Sequence, residues 1–208
     1  MTKRLHLAMD LFSQDHLSNI LPFDGTVHYY GKIFSTEQSS SYFETLFHNI
    51  QWKHDEALLY GKHYVTKRKV AWYGDEAFEY RYSGTIKQAL PWTKELTILK
   101  AIVEEKSGVS FNSCLLNLYH DGDEGMAWHS DGEKMLGDDP IVTSLSFGAE
   151  RKFSFKHKAT KQTVSLVLEN GSLLVMREGS QKYWLHRLPP TKKVTRPRIS
   201  LTFRRIFR

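Results

Sequence analysis

The chain has a single cysteine, Cys114, in 208 residues. An intrachain disulfide is therefore impossible, and zinc sites closed by several thiolates are excluded. Long hydrophobic runs are also missing: nothing approaches the roughly eighteen consecutive apolar residues of a membrane-spanning helix. The N-terminus carries Lys3 and Arg4, but Asp10 and Asp15 break the apolar stretch that a secretory signal needs. Proline is scarce, at six residues, and no segment is repeated or of low complexity. These absences lead us to expect a soluble, intracellular protein without a membrane partner; a monomer is expected, cytoplasmic in a bacterium or nuclear in a eukaryote.

Hydrophobic residues make up 40% and aromatics 13%, enough to build a core and too much for a disordered chain. Lysine and arginine exceed aspartate and glutamate by 29 − 23 = 6. That excess favours an anionic partner without choosing one. Residues 1–30, up to the Pro22-Phe23-Asp24-Gly25 turn signal, read as a loosely attached arm. Ser35 and Gln38 fit a capping box, with Tyr42, Phe43, Leu46, Phe47 and Ile50 on one helical face. A second helix is expected over 93–107, ended by Gly108. Between the helices lie short strands joined by turns. After Gly108 the pattern turns to β, with strands expected at 113–119, 141–147, 152–157, 163–168, 172–176, 184–188 and 198–206. The expected fold is mainly β with flanking helices, an α+β sandwich or barrel in which the two helices cover one sheet.

His129-Ser130-Asp131 is followed fifty-seven residues later by His186. A histidine and a carboxylate at i and i+2 of an extended segment share a face. A distant histidine on another strand completes a group of two imidazoles and one carboxylate. Such a group leaves coordination positions open, as non-haem Fe(II) oxygenases require. The tripeptide alone is a weak signal, but loop-forming residues surround it, Asp121-Gly-Asp-Glu-Gly125 before and Gly137-Asp-Asp-Pro140 after. In the last strand Arg198, Ser200, Thr202 and Arg204 share one face and Ile199, Leu201 and Phe203 the other. Two arginines on the polar face of a packed strand call for anionic partners, although a solvated basic tail is the plain alternative.

Taken together these residues resemble the AlkB-type Fe(II)/2-oxoglutarate-dependent dioxygenases. Asn117-Leu-Tyr119 is similar to the family's Asn-x-Tyr, His129-Ser-Asp131 with His186 to its iron triad, and Arg198-Ile-Ser-Leu-Thr-Phe-Arg204 to its terminal motif. Upstream, Tyr60-Gly-Lys62, Arg68-Lys69 and Tyr73-Gly-Asp75 are similar to the duplex-DNA-repair type of AlkB homologue. The resemblance covers residues 60–206 and departs at Ser200, where the family prefers asparagine, and at Gly132, where the duplex-repair type has a carboxylate.

The resemblance implies a double-stranded β-helix (jelly-roll) core over 113–208. Helices and nucleotide-recognition hairpins over 31–112 would pack on it within one structural domain. It implies Fe(II) on His129, Asp131 and His186, and 2-oxoglutarate held by Asn117, Tyr119, Arg198, Thr202 and Arg204, with O2 as co-reactant. Tyr60 and Gly61 would form a wedge turn, and Tyr80 and Tyr82 a platform for an extruded base. Lys62, Lys67, Arg68 and Lys69 would contact phosphates, and Glu133 would favour a cationic base. The implied activity is oxidative demethylation of 1-methyladenine and 3-methylcytosine in DNA, releasing formaldehyde, succinate and carbon dioxide. The same chemistry on RNA or protein, or a non-catalytic nucleic-acid-binding jelly roll, are the alternatives.

Overall fold

The structure, a computed structural model, describes residues 18–59, 62–82 and 85–207, except for the side chains at 57–59, 80–82 and 85–87. Its larger sheet is built from β1 (Thr26–Lys32), β2 (Lys53–Leu59), β3 (Lys62–Gly74), β6 (Leu90–Pro91), β7 (Ser113–Tyr119), β9 (Val142–Gly148), β12 (Ser172–Arg177) and β14 (Arg198–Arg204). The order is β1-β12-β9-β14-β7-β3-β2, with β6 against β3. A smaller sheet faces it in the order β11-β10-β13-β8, from β8 (Met126–His129), β10 (Arg151–His157), β11 (Thr163–Leu168) and β13 (Trp184–Leu188). A separate hairpin pairs β4 (Glu79–Tyr82) with β5 (Thr85–Gln88). Two facing sheets, antiparallel except for the short parallel β3–β6 pair, with neighbours distant in sequence, form the expected jelly roll. Among the described residues no helix is long and apolar enough to cross a membrane.

The helices α1 (Thr36–Asn49) and α2 (Lys94–Ser107) begin and end where local chemistry dictates. Ser35 Oγ accepts the Gln38 amide, and Gln38 Oε1 accepts the Ser35 amide in return. Thr93 caps α2 by accepting the Leu96 amide, and Gly108, left-handed at φ 69°, closes it. Both helices cover the outer face of the larger sheet. There Leu46, Leu96, Leu99 and Val103 pack on Leu116, Leu145, Phe147, Ile199, Leu201 and Phe203. A second core between the sheets joins Val27, Tyr119, Val142, Phe155, Leu174, Met176, Trp184 and Leu188. Strand alternation divides β14 accordingly: its odd positions face the helices and its even positions the gap between the sheets.

Two expectations need correction. The end of the supposed loose arm is held in place: β1 pairs antiparallel with β12 from Thr26↔Arg177 to Lys32↔Ser172, and Leu21 and Val27 are buried. Asn19 staples the turn, with Oδ1 accepting the Leu21 and Val27 amides and Nδ2 donating to the Gly25 carbonyl. The strand escaped the sequence pattern because a bulge between Tyr29 and Gly31 spoils its period of two. Residues 126–129, extended as expected around His129 but not among the expected strands, form strand β8, which is only four residues long and borders the smaller sheet.

Candidate functional site

The register of three adjacent strands builds the floor of a cavity. Arg198 lies opposite Tyr119 on β7 and Gly148 on β9; Ser200 lies opposite Asn117 and Ser146; Thr202 lies opposite Leu115 and Ser144. Directly paired residues share a sheet face, so this set points into the space between the sheets. From the other side, β8 and β13 place His129 directly across from His186, with ring centroids 4.2 Å apart. Asp131 follows two residues beyond. One atom from each of His129, Asp131 and His186 lies within 4.8 Å of the others. They line a cavity of about 310 Å³ together with Asn117, Tyr119, Glu133, Arg198, Ser200, Thr202 and Arg204.

The charges there are set by burial and by one arginine. Burial alone would raise the Asp131 carboxyl, but Arg204 and the two imidazoles outweigh it and the net shift is downward. Arg204 Nη2 donates to Asp131 Oδ1 at 2.7 Å, whereas Oδ2 is buried without a partner among the described residues. Burial pushes the His186 imidazole down to about 3, against the pull of Asp131. It therefore stays neutral and able to donate a lone pair at physiological pH. His129 Nδ1 lies 2.8 Å from the Ala127 carbonyl, so that nitrogen carries the proton and Nε2 is left for coordination. Two imidazoles and one carboxylate with a free oxygen suit a divalent metal with open positions.

Arg198 at the floor is 2% exposed. Its Nη2 donates to Ser146 Oγ at 2.9 Å, its guanidinium lies 5.6 Å from the Tyr119 ring centroid, and its Nε has no partner among the described residues. Burial lowers it to about 10, which still leaves it charged at neutral pH. Asn117 Oδ1 is likewise buried without a partner. A buried cation without a carboxylate in reach among the described residues fits one end of a small dicarboxylate such as 2-oxoglutarate.

The structure thus brings together His129, Asp131, His186, Asn117, Tyr119, Arg198, Thr202 and Arg204. Arg204 is tied to Asp131 as well as lining the cavity. Glu133 is on the cavity wall with Oε2 buried. Lys62 is exposed at the start of β3. Tyr60 and Gly61, and the side chains of Tyr80 and Tyr82, lie outside the described residues. Arg68 corrects its assignment to phosphates. Val70 pairs with Asn117, so the even residues of β3 face the cavity, and Arg68 lies on its wall donating to Asp55 and to Met126 Sδ. Three consecutive basic residues on a strand cannot all point outward, a signal that Lys67-Arg68-Lys69 carried from the start. Sequence reasoning also missed Ser146 and Gln181, whose Oε1 accepts the Asp131 amide.

Residues 26–204 match the 2OG-Fe(II) oxygenase superfamily. The chain is 37% identical to alpha-ketoglutarate-dependent dioxygenase alkB homolog 3 of Bos taurus, over 82% of this chain and 63% of that protein. It is 37% identical to the DNA oxidative demethylase ALKBH2 of Mus musculus, over 84% of this chain and 74% of that protein. With the Homo sapiens ALKBH2 it shares 38% over 71% of this chain and 60% of that protein. It therefore spans only about three-fifths of the length of the alkB homolog 3 relatives, at 58–63%. A solved structure described as that of OsALKBH1 superposes with a TM-score of 0.56 at 14% identity, covering 86% of this chain and 97% of that one, a likeness of fold. Because the family match runs through both sheets and every residue of the cavity floor, the chain belongs to the 2OG-Fe(II) oxygenase superfamily.

Proposed function

We propose that this chain is an oxidative demethylase for N-methylated bases in DNA, using Fe(II), O2 and 2-oxoglutarate. One observation carries the reading: His129 and the buried Asp131 and His186 open into the same 310 Å³ cavity as Arg198, which no carboxylate compensates among the described residues. The relatives named as DNA oxidative demethylases support the substrate class.

His129, Asp131 and His186 would hold the iron, and Arg198 the distal carboxylate of 2-oxoglutarate. Bound there, iron and 2-oxoglutarate would supply activation of O2, one oxygen atom going to the N-methyl group, which leaves as formaldehyde from the N-hydroxymethyl stage, and the other to 2-oxoglutarate, which gives succinate and carbon dioxide. The protein's own work is arrangement. Arg204 occupies one Asp131 oxygen and leaves the other to the metal. Ser146 holds the Arg198 fork, and the two apolar cores on either side of the larger sheet limit water. Glu133 places an acceptor on the wall, which favours cationic 1-methyladenine and 3-methylcytosine over neutral bases.

The test is mass-spectrometric turnover of methylated DNA and RNA oligonucleotides. His129→Ala, Asp131→Ala and His186→Ala should each abolish demethylation in a folded protein. Retained turnover in two of the three with iron supplied would sink the assignment; turnover of RNA alone would move the substrate.

A further inference from the structure

Strand β8 ends at His129, so Asp131 sits in the loop beyond it and needs another support. That support comes from the four-residue helix α3 (Ser180–Tyr183) and from Lys158. Gln181, 3% exposed, accepts the Asp131 amide through Oε1 at 2.9 Å and donates through Nε2 to Met176 Sδ at 3.4 Å. Lys158 Nζ donates to the Gln181 carbonyl at 2.8 Å and to Ser130 Oγ at 3.0 Å. Its own amide donates to the Tyr183 carbonyl at 2.8 Å. The helix hangs from Gly179, left-handed at φ 76°, whose amide is held by the Asp139 carboxylate at 2.9 and 3.1 Å.

Lys158 is the unexpected member. No carboxylate compensates it among the described residues; burial alone acts on it, lowering its pKa. Its charge also reaches His186, where it disfavours further positive charge. A divalent metal on the neighbouring triad feels the same repulsion. A half-buried, uncompensated cation beside a cation site therefore weakens metal binding unless its hydrogen bonds return more than its charge costs.

We infer that Gln181 and Lys158 are positioning residues for the metal site. They clamp Ser130 and Asp131 so that Asp131 presents the oxygen Arg204 does not hold. The inference rests on the iron-site reading of His129, Asp131 and His186 and adds the parts that hold it in shape. The sign of one substitution separates a clamp from a bystander. Removing a bystander charge tightens metal binding or leaves it unchanged, whereas removing part of the clamp weakens it.

The experiment is titration of the full chain with Co(II), an oxygen-stable probe, followed by its visible absorption, for the parent, Gln181→Leu, Gln181→Glu and Lys158→Met. Gln181→Leu and Lys158→Met should each weaken Co(II) binding roughly 10- to 100-fold and alter the band shape. Gln181→Glu keeps an acceptor for the Asp131 amide and should recover most of the lost affinity. Melting of the metal-free proteins checks that each is folded; if Gln181→Leu is not, the sign for Lys158→Met decides. Equal or tighter Co(II) binding by Lys158→Met overturns the clamp. Glu and Leu variants equally weak at position 181 overturn the acceptor role of Gln181. A parent that binds no Co(II) overturns the metal site itself, a different failure.

Discussion

Asp131 has to be both buried and charged, and Arg204 reconciles the two. The same balance makes the site acid-sensitive. The folded His186 value, about 3, lies below its ordinary 6.5, so between those limits the unfolded chain binds a proton that the folded one refuses. The Asp131 carboxyl is also lowered, so it contributes stability above its ordinary 3.8 that is lost as pH falls through the folded value. The metal-free protein should therefore lose stability steadily below about pH 6.5. Denaturant midpoints across that range check it, and His186→Gln should flatten the upper part of the curve. A parent whose midpoint is level from pH 6.5 to 4.5 would contradict the neutral buried imidazole.

Arg198 makes the complementary prediction. Truncating one partner of a buried charged pair costs about 2–5 kcal/mol, so Arg198→Ala should weaken 2-oxoglutarate at least roughly thirtyfold. Calorimetry with Mn(II) in place of iron reads this directly. Lost DNA affinity with unchanged cosubstrate affinity would put Arg198 to another use. Arg198, His129, Asp131 and His186 were legible in the sequence because their motifs, each a weak signal alone, occur together in the order of the family they resemble. Ser146 was not, because its role depends on β9 lying beside β14, a pairing between residues more than fifty positions apart.

At the scale of elements, legibility followed how local the determinant is. The Ser35 capping box marked the start of α1, the expected 93–107 helix matches α2 to within a residue with Gly108 at its end, and β7, β11 and β13 have the expected bounds. β1 and β8 were lost, one to a bulge and the other to its brevity. Gly148 marks a constraint of the same non-local kind. At φ 84° it ends β9 where a Cβ would lie 2.5 Å from the Pro197 carbonyl oxygen and 2.8 Å from the Phe43 ring. Helix α1 and the approach to β14 both press on that point. Gly148→Ala should cost about 2–5 kcal/mol, from left-handed strain together with overpacking. Equilibrium unfolding measures it; a loss under about 1 kcal/mol would mean that the approach to β14 yields easily.

On the scale of the whole molecule, the two faces of the larger sheet divide the labour. The helices close one, and the other shares the cavity with the smaller sheet. The β2–β3 hairpin belongs to neither arrangement along its full length. β3 pairs with β7 only from Lys69 to Gly74, while its first residues pair with β2 alone, up to Leu59↔Lys62. The hairpin therefore extends beyond the sheet, with Arg68 on the cavity wall where it departs. Tyr64 and Val65, 48% and 56% exposed, lie on the extension with Lys62, His63 and Lys67, also exposed. Tyr60 and Gly61 fall in sequence between Leu59 and Lys62. An aromatic there can fill the gap left by an extruded base, recovering part of the few kcal/mol that extrusion from a duplex costs. A single strand needs no such help. Tyr60→Ala should thus lower turnover of a lesion in duplex DNA about tenfold, equivalent to ~1.4 kcal/mol, and much less in a single strand. Tyr82→Ala should lower both, if its ring meets the extruded base itself. The comparison needs one lesion at one salt concentration, because the chain's +6 charge makes every nucleic-acid contact salt-dependent. Equal losses on the two strand forms would reduce Tyr60 to an ordinary surface aromatic and leave duplex entry to some other part of the hairpin.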